Sequence, residues 1–346
     1  MLRLLLGPPG RVLAAASLCL GLGSGCSFLE DLEELRSGRG GGGAAGGSGA
    51  AGGSGAAGGG GASGGAGGGA GGLGGEGGTG GVDPCGPVQA GALYGCDLVV
   101  RYFIDEAASG TAPAELLDAA PEPFDLPLTY GGVMQYTEQV GHRGLRWTAA
   151  GEDDGAFAAV AGTKVFDLDG STVGTIEVVA DIDQVTYLGT RLAHIGGGVD
   201  SGLTMASSFS WVRGEPEVAD ATRVEIRTGY SDRVVTSYFQ VNLFRLGRVV
   251  LHAVVDTSAS AVEDRTRLYL NGVRIPLDSF NDAIEPAQGA PLVLEPQSSL
   301  GVGNRAIGGR SPEGAIFYAA YYGRALSEEE LEHNAGLLQI QDDAQP

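Results

Sequence analysis

The sequence predicts an all-β fold, an antiparallel two-sheet sandwich with one short C-terminal helix. In the C-terminal part of the chain, runs of Val, Ile, Thr, Tyr and Phe alternate with turn residues, and no long helical pattern separates them. In GTIEVVADIDQV, the residues Ile176, Val178 and Ala180 recur with the two-residue period of a strand. In RLYLNGVRI, Asn271-Gly272 suits the type I′ turn of a tight hairpin. Many short strands without long helices between them are typical of antiparallel sandwiches.

Residues 1–25 have the features of an export signal. Arg3 and Arg11 precede the apolar core VLAAASLCLGLG, which is too short to span a bilayer. The stretch LGLGSGC resembles a bacterial lipoprotein signal, which implies that Cys26 is lipidated and becomes the mature N-terminus. We therefore expect an exported protein of the cell envelope, lipid-anchored to a membrane, with the outer membrane favoured. An ordinary secreted protein cleaved nearby is the alternative.

A short acidic segment, residues 26–36, and a linker, residues 37–82, follow the signal. The linker is almost entirely Gly, Ala and Ser and holds nearly half of the 63 glycines of the chain. Such a composition buries too little apolar surface to offset the entropy of ordering, so we expect a disordered linker roughly 35–40 Å in mean end-to-end distance. It would hold the following domain, residues 83–346, away from a membrane.

Two cysteines, Cys85 and Cys96, lie outside the signal region as an isolated pair. An oxidising compartment favours a disulfide between them, worth about 2–3 kcal/mol by loop-closure entropy. No histidine lies near them and their spacing is not C-x-x-C, so zinc binding and redox catalysis are disfavoured.

The net charge of −21 argues against two classes of partner. Nucleic acid is bound through Lys and Arg that neutralise phosphates, and anionic lipid attracts basic surfaces. We therefore expect no nucleic-acid partner, and a membrane contact through the lipid anchor only.

The strand pattern continues to a single helix near the C-terminus. In ALSEEELEHNAGLLQIQ, Ser327 and Glu330 form a predicted capping box, and Leu326 and Leu331 a hydrophobic staple. The predicted strands are, in order, DLVVRYFI, PFDLPLTY, GTIEVVADIDQV, TRLAHIG, ATRVEIRTG, RVVTSYFQVNL, GRVVLHAVVDT, TRLYLNGVRIPL, PLVL and AIFYAAYY.

Two blocks of sequence resemble laminin-G-like domains of the concanavalin A-like lectin and glucanase class. GRVVLHAVVDTSASAVEDRTRLYLNGVRI resembles the middle of such domains, where a strand and an acidic loop precede L-Y-V-D/N-G. LGVGNRAIGGRSPEGAIFYAAYYGRALSEEELEHN resembles their close, a glycine-rich turn, a strand and a phrase like Y-N-R-A-L-S-x-x-E-I. The resemblance implies a jelly-roll sandwich over roughly Cys96–Leu338. Because this class includes lectins, adhesion modules, pentraxins and glycosidases, it does not fix the function.

Catalytic patterns are weak. A retaining glycosidase needs two carboxyl groups about 5–5.5 Å apart, and the glucanase branch places them on one strand as E-x-D-x-E. The nearest candidates, Glu177, Asp181 and Asp183, have the wrong spacing. His194 and His252 lie in strands and are expected to be packed, hydrogen-bonded residues rather than general bases.

One loop offers a candidate anion site. His142, Arg143 and Arg146 could bind an anionic group, with Trp147 as an aromatic platform. The favoured alternative is a loop histidine beside a tryptophan of the core.

Calcium is the one cofactor that the resemblance raises, because related domains often bind an ion at the sandwich rim. The candidate ligands are Asp167 and Asp169 in FDLDGS and Asp153 and Asp154 in GEDDG. Neither cluster completes an EF-hand pattern, and solvated carboxylates are the alternative.

Three tyrosines near the C-terminus could line a carbohydrate face. Tyr318 and Tyr322 should point to one side of a strand and Tyr321 to the other, so at least one should be in the core.

We therefore predict a non-catalytic cell-envelope lipoprotein that displays a laminin-G-like binding domain for carbohydrate or protein ligands. The alternatives are a carbohydrate-active hydrolase and a purely structural envelope domain.

Overall fold

A computed structural model describes residues 91–106, 113–186, 189–197, 202–209, 222–281 and 284–343. The predicted signal, Cys26, the acidic segment, the linker and Cys85 lie outside the described residues. The Cys85–Cys96 disulfide therefore stays a prediction. Among the described residues, we find no helix with the length and hydropathy needed to cross a membrane.

The described residues form seventeen strands, three short 3-10 helices and one α-helix. The strands are β1 (Leu98–Tyr102), β2 (Glu115–Leu116), β3 (Leu126–Thr129), β4 (Met134–Gln139), β5 (His142–Trp147), β6 (Gly155–Ala159), β7 (Val173–Gln184), β8 (Thr190–Gly196), β9 (Leu203–Phe209), β10 (Thr222–Gly229), β11 (Val234–Gln240), β12 (Val249–Asp256), β13 (Thr266–Leu270), β14 (Val273–Ile275), β15 (Ser279–Phe280), β16 (Ser299–Val302) and β17 (Glu313–Tyr322). The 3-10 helices are Lys164–Leu168, Leu243–Arg245 and Val262–Asp264, and the α-helix, α1, is Glu328–Leu338.

The strands form two sheets, which confirms the predicted all-β sandwich. An eight-stranded sheet has the order β14-β13-β12-β7-β17-β5-β4, with β1 also paired to β17. A nine-stranded sheet has the order β15-β11-β10-β9-β8-β16-β6-β3-β2. The pairs at the centre of both sheets are antiparallel.

The main apolar core lies between the sheets, and β7 shows how the sequence forms it. Ile176, Val178 and Ala180 belong to this core, whereas Val179 belongs to a second apolar cluster on the other face of the same strand. The predicted alternation of β7 is therefore confirmed. It also places Glu177, which is fully buried, on the outer face with Val179.

The second apolar cluster is formed where α1 packs on the eight-stranded sheet. Leu331 and Leu338 of the helix belong to it together with Val250 and Phe317 of the strands. The predicted capping box is present, because the Ser327 hydroxyl accepts a hydrogen bond from the N–H of the third helical residue and that residue's carboxylate accepts one from the Ser327 N–H. Burial of one helix face by the sheet supplies most of the stability of so short a helix.

The Asn271-Gly272 turn joins β13 to β14 as predicted. Both residues have positive φ, 51° and 82°, which the type I′ turn requires. The Asn271 side-chain oxygen accepts a hydrogen bond from the N–H of Val250, at 2.9 Å. A Cβ at Gly272 would lie 3.1 Å from Glu332 Cα, so the glycine lets the turn approach α1 closely. The hairpin is part of the architecture.

One predicted strand is wrong. The segment PLVL lies between β15 and β16 and belongs to neither sheet. Its backbone bonds instead to two separate segments: Leu292 N–H donates to Ser171 O of the loop before β7 at 2.7 Å, and Val293 N–H donates to Gly229 O at the end of β10 at 3.0 Å. The run is apolar because Leu292 and Leu294 fill the core, and burial alone does not distinguish a strand from an irregular buried segment.

Candidate functional site

The outer face of the nine-stranded sheet carries a row of side chains across four adjacent strands. Arg191 of β8 is opposite Ala206 of β9, Ala206 is opposite Glu225 of β10, and Glu225 is opposite Tyr238 of β11. Residues in register across antiparallel strands point to the same side of a sheet. Val224 and Ile226, the residues on either side of Glu225 in β10, belong to the core between the sheets. The row that contains Glu225 therefore faces outward.

Glu225 is the centre of this row. Its side chain is 2% exposed, and two arginines flank it on the same strand. Arg223 Nε lies 3.2 Å from Oε1, and Arg227 Nη2 lies 2.6 Å from Oε2. The Ser208 hydroxyl of β9 also donates to Oε1. The carboxylate thus has partners from two strands.

The surroundings keep the Glu225 carboxyl ionised. Burial by itself raises the pKa of a carboxyl group because it disfavours the charged form. The charges of Arg227 and Arg223 and the hydrogen bonds from Ser208 and Arg227 outweigh this effect and hold the pKa of Glu225 below its ordinary value. The group is therefore a fixed negative charge that orients the two arginines.

Gly189 allows a third arginine, Arg191, to lie close to the same group of side chains. Its φ is +88°, and a Cβ there would lie 2.8 Å from Arg227 Nη2 and 3.3 Å from both Arg191 Nη1 and Glu225 Oε2. Arg191 Nη1 donates to the Gly189 carbonyl at 2.7 Å. A residue with a Cβ is strained at this φ, so glycine is favoured here, and a side chain would also have to displace the ends of these charged side chains.

Arg223 also lies over an aromatic ring. The centre of its guanidinium group is 3.7 Å from the centroid of the Tyr238 ring, a distance typical of a cation–π contact. The side chains of Arg223 and Arg227 remain 21% and 17% exposed. We call Arg191, Arg223, Arg227, Glu225 and Tyr238 the arginine cluster.

A histidine lies on the same face. His194 of β8 is opposite Thr204 of β9, and its Nδ1 is 2.7 Å from the Thr204 hydroxyl. Both residues are fully buried. The expectation that His194 is a packed, hydrogen-bonded residue is confirmed.

The outer face of the other sheet contains a second buried glutamate, Glu177. Its Oε1 is 2.8 Å from His252 Nε2 and accepts a hydrogen bond from Asn334 Nδ2 of α1 at 3.0 Å. Its Oε2 accepts hydrogen bonds from the hydroxyls of Tyr318 and Tyr322 at 2.8 and 3.0 Å. We call these five residues, with Arg101, the Glu177 network. The structure thus uses His252 as a hydrogen-bonding partner within the fold.

Arg101 supplies the compensating charge of the network. Its guanidinium donates to the hydroxyls of Tyr318 and Tyr322 at 2.9 and 3.0 Å and to a backbone carbonyl of the segment before β1. Burial raises the pKa of a carboxyl, but the hydrogen bond and charge of His252 and the charge of Arg101 hold the pKa of Glu177 below its ordinary value. Burial raises the pKa of Tyr318 well above its ordinary value, so the phenol remains a donor.

The three carboxylates nearest to a glycosidase pattern, whose spacing in the sequence argues against that pattern, differ in their surroundings. Glu177 is sealed beneath α1 in its network, and Asp183 forms an ion pair with Arg146 of β5. Burial, followed by the charge of Asp183, raises the pKa of Asp181. The three carboxylates thus share the outer face of β7, but Glu177 and Asp183 are engaged by other side chains.

The predicted anion site around Trp147 is not assembled. Trp147 is fully buried in the core and its Nε1 donates to the Asp154 carbonyl at 3.0 Å. His142 Nδ1 lies 2.6 Å from the Asp342 carboxylate, and Arg146 is paired with β7. The favoured alternative is confirmed for Trp147, which is in the core and not available as a platform, but it is wrong for His142, which begins strand β5 rather than lying in a loop.

The calcium candidates have other contacts. Asp154 Oδ2 accepts hydrogen bonds from the three backbone N–H groups of residues 132–134, at 2.7–3.0 Å, and Asp169 accepts one from a backbone N–H. Asp153 and Asp167 are exposed. Within the described ranges, no group of three or more His, Cys, Asp or Glu side chains could hold a metal ion. Calcium binding stays a prediction.

The tyrosines follow the predicted alternation. Tyr321 belongs to the core between the sheets, and Tyr318 and Tyr322 belong to the cluster beneath α1. Because all three are almost completely buried, they do not form an exposed face on which a sugar could stack.

Sequence reasoning did not identify the arginine cluster, although part of its signal is present. Arg223, Glu225 and Arg227 alternate in ATRVEIRTG, so a strand must place them on one face. The contributions of Arg191 and Tyr238 depend on the register of neighbouring strands, which local sequence does not determine.

Comparison with known proteins leaves the family open. No protein-family model matches the sequence, and neither does any curated protein. Among solved structures, the binding domain of botulinum neurotoxin DC in complex with SialylT is similar with a TM-score of 0.48 and 9% identity, over 70% of this chain and 52% of that chain. The chain thus spans about half the length of that structure.

Two further structures are similar to the chain. Trypanosoma rangeli sialidase in complex with the inhibitor DANA has a TM-score of 0.45 and 15% identity, over 75% of this chain and 36% of that chain. Domain 4 of AbnA, a GH43 extracellular arabinanase from Geobacillus stearothermophilus, in complex with arabinotriose, has a TM-score of 0.41 and 15% identity, over 69% and 98%. Because these scores lie below 0.5, neither family nor function follows from the similarities.

Proposed function

We propose that this chain is a non-catalytic binding protein of the cell envelope and that the arginine cluster contacts its ligand, a carbohydrate or a protein. The observation that carries the proposal is the partly exposed Arg223, stacked on Tyr238 and fixed by the buried carboxylate of Glu225. Arginine and tyrosine are enriched among the residues that dominate binding energy. A guanidinium whose orientation is fixed before binding loses less entropy when the ligand arrives.

The N-terminal sequence supports the rest of the proposal. We propose that Cys26 is lipidated, that residues 37–82 form a flexible stalk, and that the stalk presents a laminin-G-like domain stapled by Cys85–Cys96. The support is the sequence LGLGSGC, the Gly/Ala/Ser composition of the linker and the two quoted blocks that resemble laminin-G-like domains.

A glycan array and a set of purified envelope proteins test the binding role. The mature chain should bind at least one arrayed glycan or protein, and Arg223→Gln should weaken that binding at least tenfold. Arg233→Gln is the matched control, because Arg233 is 50% exposed and pairs with its neighbour Asp232. Repeating the array with calcium and with a chelator tests the calcium prediction.

Two results would refute this assignment. Absence of binding to every glycan and protein would favour the purely structural alternative. Equal binding by Arg223→Gln and the unmodified chain would show that the ligand contacts another surface.

A second candidate function, hydrolysis of carbohydrate, is favoured by one observation. The raised pKa of Asp181, two residues from Asp183 on β7, is the property that a catalytic acid requires. Incubation with a panel of polysaccharides tests it: turnover that Asp181→Asn abolishes would support the hydrolase and contradict a non-catalytic role.

The lipid anchor is tested separately by mass spectrometry of the native N-terminus. We expect a diacylated Cys26 and release of the Cys26→Ala variant from membranes. An unmodified residue other than Cys26 at the mature N-terminus would refute lipidation and leave the binding proposal intact.

A further inference from the structure

The arginine cluster contains a guanidinium group whose hydrogen-bonding capacity is only partly used. Arg223 Nε donates to the Ser208 hydroxyl at 3.1 Å and to Glu225 Oε1 at 3.2 Å. Its Nη1 and Nη2 donate to no group among the described residues. Neither atom belongs to the buried side-chain atoms that lack a partner, so both are accessible to solvent. The four N–H groups of these two atoms are therefore available to a ligand.

The protein fixes the orientation of this guanidinium. The hydrogen bonds from Arg223 Nε set its rotation, and the Tyr238 ring, whose centroid is 3.7 Å from the centre of the guanidinium, sets its plane. Because Nε is engaged, the free edge is the one formed by Nη1 and Nη2, where two N–H groups point in the same direction. This edge matches the two oxygens of a carboxylate, with which arginine forms paired, charge-assisted hydrogen bonds.

The charge of Glu225 is shared unequally between its two arginine neighbours. Arg227 Nε and Nη2 lie 3.0 and 2.6 Å from Oε2, whereas Arg223 reaches Oε1 through Nε alone, at 3.2 Å. Arg227 is thus the principal partner of the carboxylate. One carboxylate faces two guanidinium groups, so among these three residues the positive charge of Arg223 is in excess. Such a charge favours an anionic group on the ligand.

The side chains directly opposite Arg223 on both neighbouring strands are polar. Ser208 of β9 and Gln240 of β11 are in register with Arg223 and lie on the same face of the sheet. Gln240 is exposed, and its side-chain amide donates to the Asp278 carboxylate at 3.1 Å. The buried centre of a protein–protein interface is depleted in charged residues and enriched in apolar and aromatic ones. A polar row beside a charged group is better suited to the hydroxyl groups of a sugar.

We infer that the ligand of the arginine cluster is an acidic glycan, and that a carboxylate of one sugar residue accepts hydrogen bonds from Nη1 and Nη2 of Arg223. The hydroxyl groups of the same sugar lie towards Gln240. This inference rests on the proposed function, which leaves the ligand open between carbohydrate and protein. It makes Arg223 the residue that distinguishes charged from neutral glycans.

Titration calorimetry on the full chain tests the inference with two matched pairs of probes. Trigalacturonate is compared with its trimethyl ester, and a hyaluronan oligosaccharide is compared with its methyl ester, so that each pair differs in the charge of its carboxyl groups. We expect the acid of at least one pair to bind at least tenfold more tightly than its ester. Equal affinities within both pairs, or no binding of either acid, would overturn the inference.

Two substitutions of Arg223 separate a paired hydrogen bond from a simple effect of charge. Arg223→Lys keeps the charge but lacks the planar group, and Arg223→Gln lacks both. Each should weaken binding of the acid at least tenfold and leave binding of the ester unchanged, whereas a merely structural role of Arg223 would weaken both. Arg233→Gln, at an exposed residue that pairs with Asp232, should change neither. Full affinity for the acid in Arg223→Lys would refute the paired contact.

A peptide probe distinguishes failure of this inference from failure of the proposed function. Triglutamate carries carboxylates without a sugar and should bind at least tenfold more weakly than the acidic glycan. Equal or tighter binding of triglutamate would overturn the assignment to a glycan. A neutral glycan or a protein whose binding is lost in Arg223→Gln would also overturn it, while leaving the proposed function intact. The proposed function itself fails on a different result, the absence of binding to every arrayed glycan and protein.

Discussion

Two buried glutamates, one on the outer face of each sheet, have similar electrostatics and different surroundings. Both Glu177 and Glu225 are almost fully buried, and charged or hydrogen-bonding partners hold the pKa of each below its ordinary value. The partners of Glu177 include two tyrosines beneath α1 and an asparagine of α1, all buried. Glu225 is flanked by Arg223 and Arg227, which remain partly exposed.

In the proposed function, Glu177 stabilises the fold, whereas Glu225 orients side chains that contact the ligand. The Glu177 network joins α1, β7, β12 and β17, so its hydrogen bonds connect elements far apart in sequence. At Glu225 the two charged partners come from the same strand. The carboxylate there adds little tertiary connection, and it fixes guanidinium groups that can still contact a ligand.

The largest expected effect is the loss of stability in Glu177→Gln. The change removes the buried carboxylate that accepts four hydrogen bonds and that compensates the charge of Arg101, and breaking a buried charged network of this kind costs about 3–5 kcal/mol. Urea denaturation measures the difference, with Glu329→Gln on the exposed face of α1 as a control expected to stay within about 0.5 kcal/mol. A loss below about 1 kcal/mol would show that the network is not required by the fold.

Glu225→Gln should reduce stability less than Glu177→Gln does, and it should also weaken ligand binding. Because Arg223 and Arg227 are partly exposed, water can solvate them, and we expect a loss of about 1–3 kcal/mol in the same denaturation experiment. Ligand binding on the array should fall at least tenfold, since Arg223 loses the group that orients it. The contrast between the glutamates fails if Glu225→Gln is as destabilising as Glu177→Gln and binds as the unmodified chain does.

Low pH should remove the contributions of both glutamates to the stability of the fold. A carboxyl whose folded-state pKa is lowered stabilises the fold above its unfolded pKa, about 4.3, and this stability is lost as the pH falls through the folded-state value. The free energy of unfolding, measured from pH 7 to pH 2, should therefore decline below about pH 4. The decline should be shallower in either Gln variant, and an unchanged slope in both would contradict the assigned ionisation.

The smallest effect is expected from the helix that seals the Glu177 network. Ser327→Ala removes the side-chain cap of α1 and should cost about 1 kcal/mol. Hydrogen exchange should become faster in α1 and not in β10, because the helix packs on the other sheet. Equal acceleration in both elements would mean that the two regions are coupled.

Local sequence predicts the structural elements that depend on residues close together in the chain. The alternation in β7, the Asn271-Gly272 turn and the Ser327 capping box each depend on residues a few positions apart, and each is present. Strands β4 and β5 were not identified, because polar residues and glycine in MQYTEQ and HRGLRW weaken the strand pattern. The segment PLVL has the apolar run of a buried strand, so local sequence does not distinguish it from one.

The candidate site was harder to predict because it depends on strand register. Glu177 meets His252 only because β7 pairs with β12, 75 residues away in sequence. Glu225 likewise meets Tyr238 and Ser208 through pairing on both sides of β10. The sequence shows that Arg223, Glu225 and Arg227 alternate along one strand. It does not show the partners on neighbouring strands, which turn a charged strand face into an ordered cluster.

Arginine-selective labelling with phenylglyoxal tests the contrast between the two regions most directly. We expect Arg223 to be modified in the folded chain, Arg101 to be protected, and binding on the array to be lost in step with modification of Arg223. Modification of Arg101 at the same rate, or full binding after Arg223 has been modified, would contradict the account.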